Sequence, residues 1–364
     1  MQFSDYSTRG YMLNKLGFSP AVVDWLETFL TQTGMYDISL VESVLEMMDL
    51  GPGIEDRWNY IDGGSEHIIP RMADRITRKP ITGMRVTGVA SVRDGEEGAM
   101  ILEVTILDQE KNAITKRHYS QVISTVPLPC LATMDIPRSD LSYAQYSAIR
   151  SLSYSGSTKV ALRFAKRWWE DPDIMDGKPI HGGSSSTDLP IRWCIYPPYG
   201  LSSKCSELPG TLLASYTWVR DSQRLGSLSE SQILDVTLRN LSDLHGIPIS
   251  SFGEVEDHIV WNWQTDEHVL SGFALFGPSQ FHSDSGLFAS MKVPAAGGLL
   301  HFGGEATSVH HGWVGGALNS AWRAVSNVLS VCGEEEKREK FLKEWIVPDE
   351  EAELLPCYGL SGFL

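Results

Sequence analysis

The chain has 364 residues, 42% of them apolar, and its 30 basic against 46 acidic side chains give a formal charge of −16 at pH 7. That length can bury a substantial core and suits two domains, while the negative excess repels phosphate backbones and anionic lipid surfaces and sets nucleic acid aside as a partner. No apolar run approaches a membrane span, and the start MQFSDYSTRG lacks the charged and apolar regions of a signal peptide, so no membrane or secretory routing is expected and the compartment stays unknown, cytoplasmic by default.

The first elements read as helices. Ser19-Pro20 is a cap followed by a first-turn proline, and Val22, Trp25, Leu26, Phe29 and Leu30 recur at helical spacing up to Gly34. Ser39 with Glu42 fits a capping box for a second helix, whose apolar stripe is Val41, Val44, Leu45 and Met48 and whose stop is Gly51-Pro52-Gly53. Both stripes read as core. Residues 65–77 suit a third helix, capped by Ser65 and disturbed by Pro70.

From Pro80 the period changes to two, which predicts strands over Met84–Val89 and Leu102–Leu107 and from about Tyr119 to Val126, ended by Pro127-Leu128-Pro129. Further strands are expected near 157–165, 191–196, 211–219 and 254–262, with a helix around 229–245 and a surface loop at 171–190. GEEEKREKFLKEW after residue 333 reads as a charged surface helix followed by a tail.

Residues 301–325, HFGGEATSVHHGWVGGALNSAWRAV, carry the strongest functional signal. Gly298–Phe302 suits a short core strand, and Gly303-Gly304 lets the backbone turn close to a ligand. Glu305 would then stand at the strand's mouth, suited to accept a hydroxyl hydrogen bond, and a helix starting near Gly315 offers free N–H groups and a positive dipole end. The five cysteines (130, 194, 205, 332 and 357) form no CxxC pair and are expected to be reduced. His310-His311 has no third ligand in view, and no metal is expected.

GGEATS followed by HxGWVxGALxSxxRA closely resembles the C-terminal flavin-binding motif of the flavin-dependent amine oxidases, most of all the L-amino-acid oxidases. VISTVPLPCL at 122–131, GSTKVALRFAKRWWE at 156–170 and NWQTDEHVLSGFALFGPSQF at 262–281 follow that family's order. The resemblance spans roughly residues 80 to 330. It implies an α+β or α/β fold of the amine oxidase type: an incomplete Rossmann-like FAD domain plus a substrate domain of mixed sheet and helices. The expected segments are 1–65 (helical, substrate side), 66–130 (FAD-domain meander), 131–295 (substrate domain), 296–332 (C-terminal FAD segment) and 333–364 (surface helix and tail). No G-x-G-x-x-G turn follows an apolar strand, so the chain is expected to lack the family's N-terminal dinucleotide-binding part.

What the resemblance implies for the site is specific. Lys159, which interrupts an otherwise strand-like run, is the catalytic candidate, a cation near where dioxygen reacts. Tyr216, Gly312 and Trp313 would bind substrate, with the Tyr216 phenol on a carboxylate. Ile81, near the adenine, and Trp263, Gly303, Gly304, Glu305 and Val314 would contact FAD, held without a covalent bond because the 262–281 block has no cysteine. The expected activity is FAD-dependent oxidative deamination of L-amino acids to keto acid, ammonia and hydrogen peroxide, with an amino acid or amine and dioxygen as small-molecule partners and a homodimer as the family's usual state. Two alternatives stand beside it: a monoamine or polyamine oxidase, and an inactive remnant or subunit that needs a partner to supply the nucleotide half.

Overall fold

A computed structural model describes residues 3–30, 33–50, 61–96, 98–197, 208–281 and 286–349. Gly51-Pro52-Gly53, Cys205, Cys357 and the expected tail lie outside the described residues. Four helices come first: α1 (Thr8–Asn14), α2 (Pro20–Phe29), α3 (Leu40–Leu50) and α4 (Ile68–Arg75). Ser19 caps α2 through its hydroxyl, which accepts from the Val22 N–H, and Pro20 takes the first turn.

The faces of α2 and α3 differ from the sequence expectation. On α2 the buried residues are Val23 and Glu27, whereas Trp25 and Phe29 are 61% and 63% exposed and stack on each other at 5.3 Å. On α3 Val44 and Met48 face solvent, and Glu42 is buried. The cause is polar pairing: Glu27 receives the Arg9 guanidinium at 2.6 Å and the Tyr36 N–H at 3.2 Å, which turns this carboxylate inward. The Ser39/Glu42 capping box does not form either. Ser39 accepts from the Val41 N–H, and the Glu42 carboxylate reaches across to the Phe276 N–H at 2.8 Å and to His311. Ser65 opens a short 3-10 turn before α4 and caps nothing with its side chain.

Next comes an antiparallel meander of β1 (Met84–Arg93), β2 (Met100–Asp108) and β3 (Ala113–Tyr119). The single strand expected from Tyr119 to Val126 is broken. β3 ends at Tyr119, and β4 (Val122–Ser124) leaves the meander to pair in parallel with β12 (Leu300–Phe302) in the register Val122↔Leu300 and Ser124↔Phe302. Pro127 lies beyond that pairing and starts the short helix α5 (Leu128–Leu131), followed by α6 (Tyr143–Ser151).

The two-residue strands β5 (Tyr154–Ser155) and β11 (Phe273–Ala274) pair with each other. A five-stranded antiparallel sheet contains β6 (Ser157–Phe164), β7 (Ser184–Ser186), β8 (Trp193–Ile195), β9 (Gly210–Trp218) and β10 (Val255–Asn262), in the order β10-β6-β9-β8-β7. Helices α7 (Val219–Gly226) and α8 (Glu230–His245) follow β9, and α9 (Leu287–Ser290), α10 (Val314–Val331) and α11 (Glu335–Glu344) are the last helices among the described residues.

Two cores result. One gathers Val89, Leu102, Val104 and Ile106 of the meander with Phe276, Phe288, Leu300 and Phe302. The other packs Val160, Leu162 and Phe164 of β6 against Leu212, Ala214, Trp168 and Ile233. Because strand side chains alternate, committing Val160, Leu162 and Phe164 to this core sends Lys159 to the opposite face of β6.

Candidate active site

A cavity of about 480 Å³ lies between the five-stranded sheet and the β12–α10 turn. Nine of the ten residues singled out from sequence line it: Lys159 from β6, Tyr216 from β9, Trp263 just after β10, Gly303, Gly304 and Glu305 after β12, and Gly312, Trp313 and Val314 at the start of α10. Ile81 does not. It precedes β1 and is 64% exposed, away from the cavity lining.

The pairing of β6 with β9 sets Lys159 directly opposite Tyr216, and its ammonium lies 4.4 Å from the Tyr216 ring centroid. On the other side Lys159 pairs with Trp261 of β10, which leans on Trp263 at 5.5 Å. Burial disfavours the charged lysine and lowers its pKa, and burial likewise raises that of the Tyr216 phenol. Among the described residues that line this cavity, Lys159 is the only lysine or arginine. The Tyr216 ring is fixed by stacking on Trp193 at 5.6 Å and by an edge contact with Trp218 at 5.2 Å.

Glu305 does more than wait for a ligand. One carboxylate oxygen accepts from the Ala274 N–H at 3.0 Å and the other from the Gly312 N–H at 2.8 Å, so it ties β11 to the loop before α10. Burial pushes its pKa up, and His311 and the two amides pull against that. Each oxygen keeps a second lone pair, which leaves room for a hydroxyl from the cavity side.

The turn is built for close approach. Gly304 sits at φ 116°, and a Cβ there would meet only the Thr125 carbonyl oxygen at 3.9 Å, so the space beside it is open. Gly312, at φ 75°, lies against the Phe273 ring, where an added Cβ would come within 3.0 Å. Trp313 precedes α10 without capping it by side chain, which leaves the first N–H groups of α10 beside the cavity, a setting that favours negative charge. A glycine turn, a carboxylate, a cation and an uncapped helix end around one cavity fit a flavin cofactor. Gly303, Gly304, Glu305 and Val314 would hold it, with Trp263 and Trp313 as aromatic walls.

Three acids of α3 were not read as site residues. Glu42, Glu46 and Asp49, at i, i+4 and i+7, share one helix face and meet the His310–Trp313 loop. Glu42 pairs with His311 Nδ1 at 2.9 Å, Asp49 with His310 Nδ1 at 2.6 Å, and Glu46 accepts from Trp313 Nε1 at 3.2 Å. Their spacing in an otherwise apolar helix was the available signal. These contacts engage both histidines that had invited a metal reading.

The chain matches the family described as flavin containing amine oxidoreductase over residues 18–329, and it belongs to that family. A bifunctional amine oxidase of Dictyostelium discoideum is 40% identical over 357 residues, which cover 96% of this chain and 32% of that protein. L-amino-acid oxidase 4 of Hebeloma cylindrosporum is 37% identical over 377 residues, covering 95% of this chain and 57% of the relative, and the L-amino-acid oxidase of Siganus canaliculatus is 29% identical, covering 90% and 58%. The chain thus spans between a third and three-fifths of the length of these relatives. Cyclohexylamine oxidase from Brevibacterium oxydans superposes with a TM-score of 0.67 at 13% identity, over 91% of this chain and 69% of that one, and shows the amine oxidase fold.

Proposed function

We propose that this chain forms the substrate-binding and cofactor-facing part of an FAD-dependent L-amino-acid oxidase. The observation that carries this reading is the convergence of Lys159, Tyr216, Gly304, Glu305 and Trp313, drawn from separate elements, on one cavity. The balanced reaction is amino acid, water and dioxygen to keto acid, ammonia and hydrogen peroxide. A flavin held by Gly303, Gly304, Glu305 and Val314 would supply the two-electron acceptor for the substrate Cα–H and the reactivity toward dioxygen.

The protein groups orient and polarise. Tyr216 donates its phenolic hydrogen to the substrate carboxylate. Lys159 supplies the positive charge that favours electron delivery to dioxygen, in a half-buried setting where a fixed charge is screened less than in water. Trp313 and Trp263 flank the reacting carbon and exclude water. Glu305 holds the Gly312 backbone, and with it the Trp313 wall, through its 2.8 Å bond.

The test is to purify the chain with added FAD, remove free cofactor and record the visible spectrum before and after adding L- and D-amino acids without oxygen. Retained flavin bands that bleach with L-amino acids are expected. Bleaching by amines but not by amino acids would replace this reading with the amine-oxidase one, for which Tyr216→Phe should leave substrate affinity unchanged. A colourless protein would favour a portion that needs the remainder of a longer oxidase.

A further inference from the structure

A second cavity, of about 300 Å³, opens beyond the first and shares Tyr216, Phe273, Gly312 and Trp313 with it. Its volume is at the small end for ligand pockets, enough for one extended side chain and too small for a cofactor. Trp193, Trp218 and the three shared aromatic residues form most of its walls, with Leu30, Leu50 and His311 completing them, and Glu46 is its one carboxylate. Trp313 Nε1 donates to Glu46 Oε2 at 3.2 Å, and Oε1 has no hydrogen-bond partner among the described residues. Aromatic faces around a single acid form a cation trap: the ring quadrupoles attract positive charge, and a carboxylate with a spare oxygen pairs with it.

We infer that this cavity receives the side chain of the substrate and selects amino acids whose side chain ends in a cation, an alkylammonium or a guanidinium. The inference rests on the functional reading above and deepens it. With Cα beside Tyr216 and Lys159 in the larger cavity, the side chain extends between Phe273 and Trp313 toward Glu46. A neutral aliphatic side chain of equal length fills the same walls and leaves the Glu46 oxygen unpaired, so the charge rather than the shape discriminates. The −16 formal charge of the chain adds a field that concentrates cations. Glu46 sits on α3 and holds Trp313 through its indole N–H; a glutamine there still presents an amide oxygen to that N–H, so Glu46→Gln removes the charge while keeping an acceptor for Trp313.

Calorimetric titration of the chain with added FAD, using L-lysine, its uncharged isostere L-norleucine and 1,5-diaminopentane, decides this. Lysine should bind about tenfold or more tightly than norleucine. Glu46→Gln should bring that ratio close to one, and Glu46→Asp should keep most of it, each variant melting within a few degrees of the parent. No preference in the parent, or a preference that survives in Glu46→Gln, overturns the inference. Flavin bleaching read on the same samples separates the two levels. Bleaching by both lysine and norleucine together with equal affinity for the two sinks the side-chain selection and leaves the oxidase standing. A lysine preference in a chain that retains flavin yet does not bleach supports the cavity's selectivity and sinks the oxidase. Diaminopentane binding as tightly as lysine shows that the cation is read without the α-carboxylate.

Discussion

Glu42 and His311 stand 269 positions apart in the chain and 2.9 Å apart in the fold, both almost completely buried. The carboxylate also takes the Phe276 N–H, so one side chain joins α3, the strand end after β11 and the loop that carries Trp313. Glu42→Ala removes the partner of a buried imidazole and of a buried amide at once and is expected to cost about 3–5 kcal/mol. Chemical denaturation of the variant measures this. A loss below about 1 kcal/mol would mean that α3 and the loop are held by apolar contact alone.

Lys159→Met keeps the stem that lies along Tyr216 and removes the charge. Reduction by amino acid should change little, while reoxidation by dioxygen should slow by about 10²-fold or more; stopped-flow absorbance separates the two half-reactions. Because burial lowers the Lys159 pKa below its ordinary 10.5, the fast reoxidation should fade as pH rises through that lowered value. The stability sign is opposite. In the window between the lowered pKa and 10.5 the unfolded chain binds more protons, so the cost of the buried ammonium declines as pH rises.

Gly315 and Gly316 adjoin at the start of α10 and should respond in opposite ways. A Cβ on Gly316 would lie 2.2 Å from the His310 carbonyl oxygen, a backbone atom that cannot step aside, whereas one on Gly315 meets nothing within 4 Å. Gly316→Ala should destabilise by about 2 kcal/mol or more. Gly315→Ala should be neutral or stabilising by up to about 1 kcal/mol, as usual for glycine replaced in a helix. Thermal melts decide it, and loss of flavin binding in a stable Gly315→Ala would locate the cofactor against the end of α10.

His245 is the clearest acid-sensitive group. Burial against Trp168, with the Tyr196 hydroxyl 2.9 Å from its Nε2, lowers its pKa from 6.5 to about 4. The folded state therefore resists protonation while the unfolded state accepts it. Stability is full above pH 6.5 and declines as pH falls toward about 4, by about 2 kcal/mol after allowing for partial solvent screening. In His245→Gln that part of the acid slope should vanish from denaturation curves taken between these pH values. An unchanged slope would assign the acid loss to other groups.

The local elements were largely legible. Period-two runs marked β1 and β2, strands were expected where β6, β9 and β10 form, and Ser19-Pro20 marked a helix start whose cap forms as drawn, while the helix expected around 229–245 is α8. The faces of α2 and α3 were not, because hydrophobic periodicity counts apolar residues and is blind to a partner such as Arg9 or His311 that repays an acid for turning inward. The break between Tyr119 and Val122 was equally hidden, since β4 owes its strand character to β12, 178 positions later at the pairing of Val122 with Leu300.

By itself the sequence determined the family and named the candidate site residues, since the GGEATS and HHGWVGG motifs need only the right residue types at short, fixed spacing. The tertiary structure alone decided which groups share a cavity. Sheet pairing, set by side-chain alternation and burial of Val160 and Leu162, put Lys159 against Tyr216, and the packing of α3 on the loop before α10 brought Glu46 to Trp313. Those contacts cross separations of 57 and 267 residues, where no local spacing constrains them and only the burial of the whole fold can.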